Sequence, residues 1–311
     1  MTVGLMAVQI HSVPAVLSDE PCEVALRAVC PALRPYVLGL SGFRSGHGRP
    51  IAHLLLPLAH PTVIVDFGAR SGLVLGARAA ATARGETTWG HGISIGLTPL
   101  GAAALLGVPM SELGGPAVRL DELLGPGVTE LPGRLAAAPS WAERFDLIER
   151  VLLHLRTART ASPDRVACSP DPAAWFPDRA VPAACSPDRV ACFPDRAVLA
   201  AWQRLQRPGP PKVDVLAAEL NVTRRRLERG FRQHVGLTPA TVARIARFQR
   251  VVGRLVSGAG PSEAAADSGY ADHPHLARET RAMAGLTPTR LAAYLSTPPV
   301  VVANVQDARR R

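Results

Sequence analysis

Covalent and metal frameworks are scarce in this sequence. Its 311 residues include five cysteines, with no C-x-x-C and no paired spacing, which argues against a disulfide scaffold or a zinc ribbon. His47, His53, His60 and His91 lack the i, i+4 or His-x-His spacing of a metal site, and the glycines of 92–101 form neither a Walker nor a dinucleotide fingerprint. No metal and no cofactor are therefore expected. The N-terminus lacks the cationic start of a secretory signal. Gly92–Ser111 carries no charge and approaches the length of a membrane span, but Pro99, Pro109 and four glycines interrupt it. It reads as buried strand, turn and helix, so a soluble cytoplasmic protein is expected.

Charge is unevenly placed. The formal net charge is +10, and all of it lies beyond residue 200: residues 201–311 hold 18 Arg or Lys against 8 Asp or Glu, while residues 1–200 hold 17 of each. A basic region joined to a neutral one suits a polyanionic partner. Lys212 is the single lysine of that region, and arginine is the cation fitted to bidentate contacts with phosphate and guanine. GC-rich coding would also favour arginine over lysine, but would not confine the excess to one end.

The same region repeats itself. Residues 223–239, TRRRLERGFRQHVGLTP, align without gaps on 272–288, DHPHLARETRAMAGLTP, at an offset of 49. Leu227/Leu276, Arg229/Arg278, Arg232/Arg281 and two Gly-Leu-Thr-Pro runs are shared. Each copy describes a short basic helix ended by a glycine in the left-handed conformation, with a proline opening the next helix. A short apolar helix precedes each copy, at Val213–Leu220 and Ser262–Ser268. In the first basic helix Leu227 and Phe231 lie one turn apart and face a core, which turns Arg225, Arg229 and Arg232 outward. Thr223 is placed to cap it, where the helix dipole favours a phosphate. In the second copy Asp272 caps, Leu276 faces inward, and Arg278 and Arg281 face outward, with His273, His275 and Ala277 along the flanks. Such a helix fits the major groove of B-DNA.

Between the copies, Pro239–Val256 reads as one amphipathic helix on Val242, Ile245, Phe248, Val252 and Leu255. It would be about 27 Å long and would hold two recognition helices apart; helices reading successive major-groove segments lie about 34 Å apart.

The fold class expected is α+β: a mixed α/β N-terminal regulatory or sensing domain at 1–158, a Pro-rich repetitive linker at 159–200, an all-helical unit at 201–296 and a basic tail at 297–311. Within the first unit, His53–Leu58 and Thr62–Phe67 read as extended, and Gly101–Leu105, Asp121–Leu124 and Trp141–Thr157 as helical. In the last of these Trp141, Phe145, Ile148, Leu152 and Leu155 recur at three and four residues. In the linker SPDRVAC occurs at 162–168 and 186–192 and FPDRAV at 176–181 and 193–198. Proline this frequent blocks helix and sheet, and Cys168, Cys185 and Cys192 were copied with the repeat.

Leu216-Ala217, Thr223-x-x-x-Leu227-x-Arg229-x-Phe231-Arg232, Arg244-x-x-Arg247-Phe248-Gln249-Arg250, Gly269-Tyr270-Ala271-Asp272-x-x-His275-Leu276-x-Arg278 and the two Gly-Leu-Thr-Pro runs together resemble the double helix-turn-helix domain of AraC/XylS-type bacterial transcription regulators. The resemblance spans about Lys212 to Tyr294. It implies sequence-specific binding to double-stranded promoter DNA, contact with RNA polymerase, no enzymatic activity, no membrane, and a place in the cytoplasm at the nucleoid. Carried over by position, Arg225, Glu228 and Arg229 of the first helix and His273, His275, Ala277 and Arg278 of the second read bases; Thr223, Arg232 and Arg281 meet phosphate. Two departures stand out. Thr280 replaces the family's phenylalanine, so the second unit is expected to pack less tightly, and Pro274 takes the place of Arg225, removing a base contact.

Leu33-Arg34-Pro35-Tyr36-Val37, Val63–Gly68 and Gly101–Pro109 with Glu112-Leu113 are similar, more weakly, to regulatory domains of some actinobacterial members. Such domains sense a small-molecule effector or form homodimers. Two other classes stay open on sequence: a protein coating DNA without sequence preference, and a DNA-alkylation repair enzyme with Cys22 or Cys30 as nucleophile.

Overall fold

Strands in the first half form where β-branched and apolar residues cluster. They are β1 (Ser12–Pro14), β2 (Glu23–Arg27), β3 (Val37–Arg44), β4 (Ile51–Leu55), β5 (Thr62–Asp66), β6 (Leu73–Leu75), β7 (Thr88–Trp89), β8 (His91–Leu97) and β9 (Val118–Arg119), with β10 (Val300–Asn304) from the far end of the chain. The computed structural model describes residues 9–15, 22–46, 49–82, 87–160, 193–295 and 300–304. Seven strands form a sheet in the order β10-β2-β3-β8-β5-β6-β9, and β1-β4-β7 form a second. Every pairing is antiparallel except β10 on β2. The first expected extended run ends early: β4 stops at Leu55, and beyond it Leu58 forms an isolated antiparallel bridge with Arg78. β5 is buried along nearly its whole length, as befits a strand covered on both faces.

The uncharged stretch 92–111 resolves into strand, turn and helix, as its glycines and prolines require. β8 is followed by Thr98, whose hydroxyl caps α1 (Pro99–Gly101) by accepting from the Gly101 amide at 2.9 Å. A wider helical turn, Ala102–Leu106, then stops at Gly107 with φ 77°. α2 (Leu120–Leu124), α3 (Leu131–Ala137) and α4 (Trp141–Thr160) follow. Phe145, Ile148, Leu152 and Leu155 of α4 are buried while Trp141 is half-buried. Arg27 of β2 fixes this helix to the sheet, pairing with Asp146 at 2.7 Å and Glu149 at 3.4 Å. No helix among the described residues is long and apolar enough to cross a membrane.

The expected linker lies mostly at 161–192, outside the described residues, together with Cys168, Cys185 and Cys192; His47 lies outside them too. Where description resumes, helix begins inside the second FPDRAV copy. α5 (Arg196–Leu205) is capped by Asp195, which accepts from the amides of Ala197 and Val198 at 2.7 and 3.0 Å. Its Val198, Ala201, Trp202 and Leu205 are buried, and that apolar face carries helix into residues 196–200, where composition pointed to linker. There follow α6 (Val213–Glu219), α7 (Arg224–His234), α8 (Pro239–Val256), α9 (Pro261–Asp267), α10 (His273–Ala284) and α11 (Pro288–Leu295). One continuous apolar cluster runs from Val13 through the sheet and α4 to Leu295. Of the segment expected as a tail, Val300–Asn304 forms β10.

Candidate nucleic-acid interface

The first unit is built as its residues dictate. Asn221, with φ 53°, makes the tight turn after α6, a conformation asparagine tolerates better than most residues. Thr223 then caps α7, its hydroxyl accepting from the Arg226 amide at 3.2 Å. Leu227 and Phe231 are buried, and Gly236 at φ 75° follows the end of the helix. The other side is cationic. Arg225, Arg229 and Arg232 are exposed and have no acidic partner among the described residues. Their neighbours differ: Arg224 bridges Asp214 at 3.2 Å and Glu228 at 2.8 Å, and Arg226 reaches Asp195 at 3.4 Å. Glu228, half-buried, is thus engaged by Arg224.

α9 and α10 repeat the plan. Gly269, φ 78°, turns the chain, and Asp272 caps α10 by accepting from the His275 amide at 2.6 Å. Leu276, Met283 and Ala284 are buried, and Gly285 closes the helix in the left-handed conformation. His273, Arg278 and Arg281 are exposed, whereas His275 and Ala277 are half-buried. The His275 ring stands edge-on to Tyr270, centroids 5.1 Å apart. Pro274 sits in the first turn, where its missing amide is harmless. Thr280, in the place of Phe231, is fully buried, and its hydroxyl finds no partner among the described residues.

α8 joins the two. All five apolar residues of its expected stripe are buried, but so are Ala246, Gln249 and Val251. The wider face reflects neighbours on several sides, α5, α7, α9 and α11 among them. Its arginines are structural cations. Arg244 and Arg247 converge on Glu279 of α10 at 2.8 and 3.5 Å, Arg247 lies 4.9 Å over the Tyr270 ring, and Arg254 holds Glu263 and Asp267 of α9 at 2.7 Å each. Sequence alone does not separate these arginines from the exposed, unpaired ones of α7 and α10. The signal is the acidic residue at 279, where the first copy has Gly230.

Cys22 and Cys30, the nucleophiles a repair enzyme would use, are both free and half-buried. Burial pushes the Cys22 thiol up, and Arg27, which separates Cys22 from Cys30 in sequence, is committed to Asp146 and Glu149. Among the described residues no three His, Cys, Asp or Glu side chains converge as metal ligands.

Residues 216–293 match a family model described as a helix-turn-helix domain. No curated protein matches the chain. Among solved structures, it is similar to the C-terminal domain of AraT, a response regulator from Geobacillus stearothermophilus, at 21% identity over 38% of this chain and 97% of that one, with a TM-score of 0.29. It is also similar to ToxT from Vibrio cholerae O395, at 9% identity over 89% and 98% of the two chains, TM-score 0.41, and to unsaturated fatty acid-bound wild-type ToxT from strain SCE256, at 9% over 93% and 92%, TM-score 0.38. Scores this low decide nothing, and the assignment rests on residues 216–293. Their two capped basic helices, each behind a shorter helix and each closed by Gly-Leu-Thr-Pro, form a double helix-turn-helix domain, the arrangement that the resemblance to AraC/XylS-type regulators implies.

Proposed function

We propose that this regulator reads two successive major-groove segments of a promoter, one with α7 and one with α10, and that its N-terminal unit modulates the reading. The observation that carries this is a set of cations without acidic partners: Arg225, Arg229 and Arg232 on α7, and Arg278 and Arg281 on α10, stand exposed while Arg224, Arg226, Arg244 and Arg254 near them are paired. Like charges gathered on one helix face repel each other until an anion lies among them. Arg225, Glu228, Arg229, His273, His275, Ala277 and Arg278 read bases in this proposal, and Thr223, Arg232 and Arg281 meet phosphate.

Glu228 is available despite its partner. An exposed ion pair is worth less than a good base contact, so DNA can draw Glu228 from Arg224. His275 has less freedom beside Tyr270, which shifts the weight in the second helix toward Arg278. A small-molecule effector, self-association and contact with RNA polymerase belong to the same proposal, as does a place in the cytoplasm.

Selection of bound sequences from random duplex DNA, with the full chain at near-physiological salt, tests it. Enrichment of one motif with two half-elements about one helical turn apart is expected. Retention of DNA with no enriched motif would instead establish a coating protein, whose affinity falls with salt on every sequence alike.

A further inference from the structure

The N-terminal unit grips the DNA-binding domain at both recognition helices and at the helix between them. At the end of α7 the Ser111 hydroxyl donates to the Gln233 carbonyl. The fit there is close: a β-carbon on Gly236 would lie 3.0 Å from the Ser111 α-carbon. At the end of α10 the Ala81 amide donates to the Met283 carbonyl at 2.6 Å. Both acceptors belong to the last turn of a helix, where carbonyls lack intrahelical donors. Midway, the buried Gln249 of α8 accepts from the Ile10 amide at 3.0 Å and donates to the carbonyls of Ile10 and Pro57 at 3.0 and 2.8 Å. Trp202 of α5 adds a bond to the Ala59 carbonyl at 2.9 Å.

These contacts leave the DNA-facing side open. No hydrogen bond or ion pair among the described residues ties Arg225, Arg229, Arg232, Arg278 or Arg281 to the N-terminal unit, and all five are exposed. A unit that holds the rear of both helices without covering their faces does not block DNA. It sets where the helices stand relative to one another.

We propose that Ser111, the Ala81 amide and Gln249 are positioning groups that fix the separation of the two recognition helices, so that the N-terminal unit selects the spacing between half-elements of the operator. The inference rests on the regulator reading above. α8 alone is a single connection about which two units can rock; three bonded points, one on each recognition helix and one on the joint, remove that freedom. A change in the N-terminal unit then alters which spacing is accepted while leaving the bases read unchanged.

The test is the sequence selection repeated with full-chain Ser111→Ala, and with Ser111→Ala combined with Gln249→Met. The wild-type chain is expected to enrich two half-elements at one spacing. The variants are expected to enrich the same half-elements over several spacings, with discrimination against a one-base-pair change reduced about tenfold for the double variant. A merely structural loss would weaken all spacings alike and keep the preference, and that result overturns the inference. Ser111→Ala removes a single surface hydroxyl, so it keeps the test open should the double variant fail to fold. Failure of the wild-type chain to enrich any motif is a separate outcome: it removes the regulator reading, and this inference with it.

Discussion

Trp141 occupies the space over Gly42. A β-carbon at position 42 would lie 2.3, 2.5 and 2.8 Å from Cζ3, Cε3 and Cη2 of the indole, whose Nε1 donates to Glu23 at 2.7 Å. The absence of a side chain on β3 therefore seats the first residue of α4 against the sheet. Gly42→Ala should destabilise the protein by about 1–3 kcal/mol, the usual range for overpacking, read as a lower urea midpoint. In a Trp141→Ala background the same substitution should cost little. Equal losses in the two backgrounds would show that the ring is not the cause.

Acid should weaken the fold through three histidines of the N-terminal unit. Burial lowers His11 to about 3, with Arg78, His53 and His60 adding to the effect. It lowers His53 to about 4 and His60 to about 4, in each case against a backbone hydrogen bond that favours the charged form. An unfolded histidine titrates near 6.5. As pH falls below that value the unfolded chain takes up protons that the folded chain refuses, so stability drops, by up to about 1.4 kcal/mol per unit for each group. Urea midpoints measured at pH 7 and pH 5 should differ strongly, and His60→Gln should flatten the difference. A midpoint unchanged over that interval would mean that these rings stay solvated.

Thr280 gives a prediction of opposite sign. Its buried hydroxyl has no partner among the described residues, and an unsatisfied buried polar group is a net burden. Thr280→Val keeps the shape and removes the hydroxyl, so it should raise the melting temperature, by about 1 kcal/mol of stability. A loss would show that the hydroxyl bonds to something, a backbone carbonyl or a water, when the protein is in solution.

What could be seen in the sequence was local. Thr223 and Asp272 as caps, glycine stops at Gly236 and Gly285, Leu227, Phe231 and Leu276 as core, and the whole of α8 follow from spacings of a few residues, where helix geometry determines what meets what. What could not be seen depends on distant partners. Gln249 looks like a surface glutamine of a basic helix, yet it is buried because Ile10, 239 positions earlier, comes to meet it. Arg244 and Arg254 carry the same charge as Arg229, and only Glu279, Glu263 and Asp267 make them internal struts. The start of α5 was hidden for another reason: residues 193–198 repeat 176–181 letter for letter, so composition could not tell that Val198 of one copy is buried against Gly230.

The two classes of arginine on α7 should separate in binding experiments. Arg229 and Arg232 are both exposed and without acidic partners, but they lie on different turns, Arg229 in the middle of the helix and Arg232 near the carboxyl end. If Arg229 reaches a base edge, Arg229→Ala costs about 1–3 kcal/mol on the selected operator and relaxes preference at one base pair, because only that pair loses its partner. If Arg232 meets phosphate, Arg232→Ala weakens every sequence alike and lowers the salt slope by about one, since one fewer counterion is released on binding. Titrations of both variants on the operator and on a scrambled duplex, at three salt concentrations, separate the roles. Equal losses for Arg229→Ala on the two duplexes would assign Arg229 to the backbone, and would leave the base reading of α7 to Arg225 and Glu228.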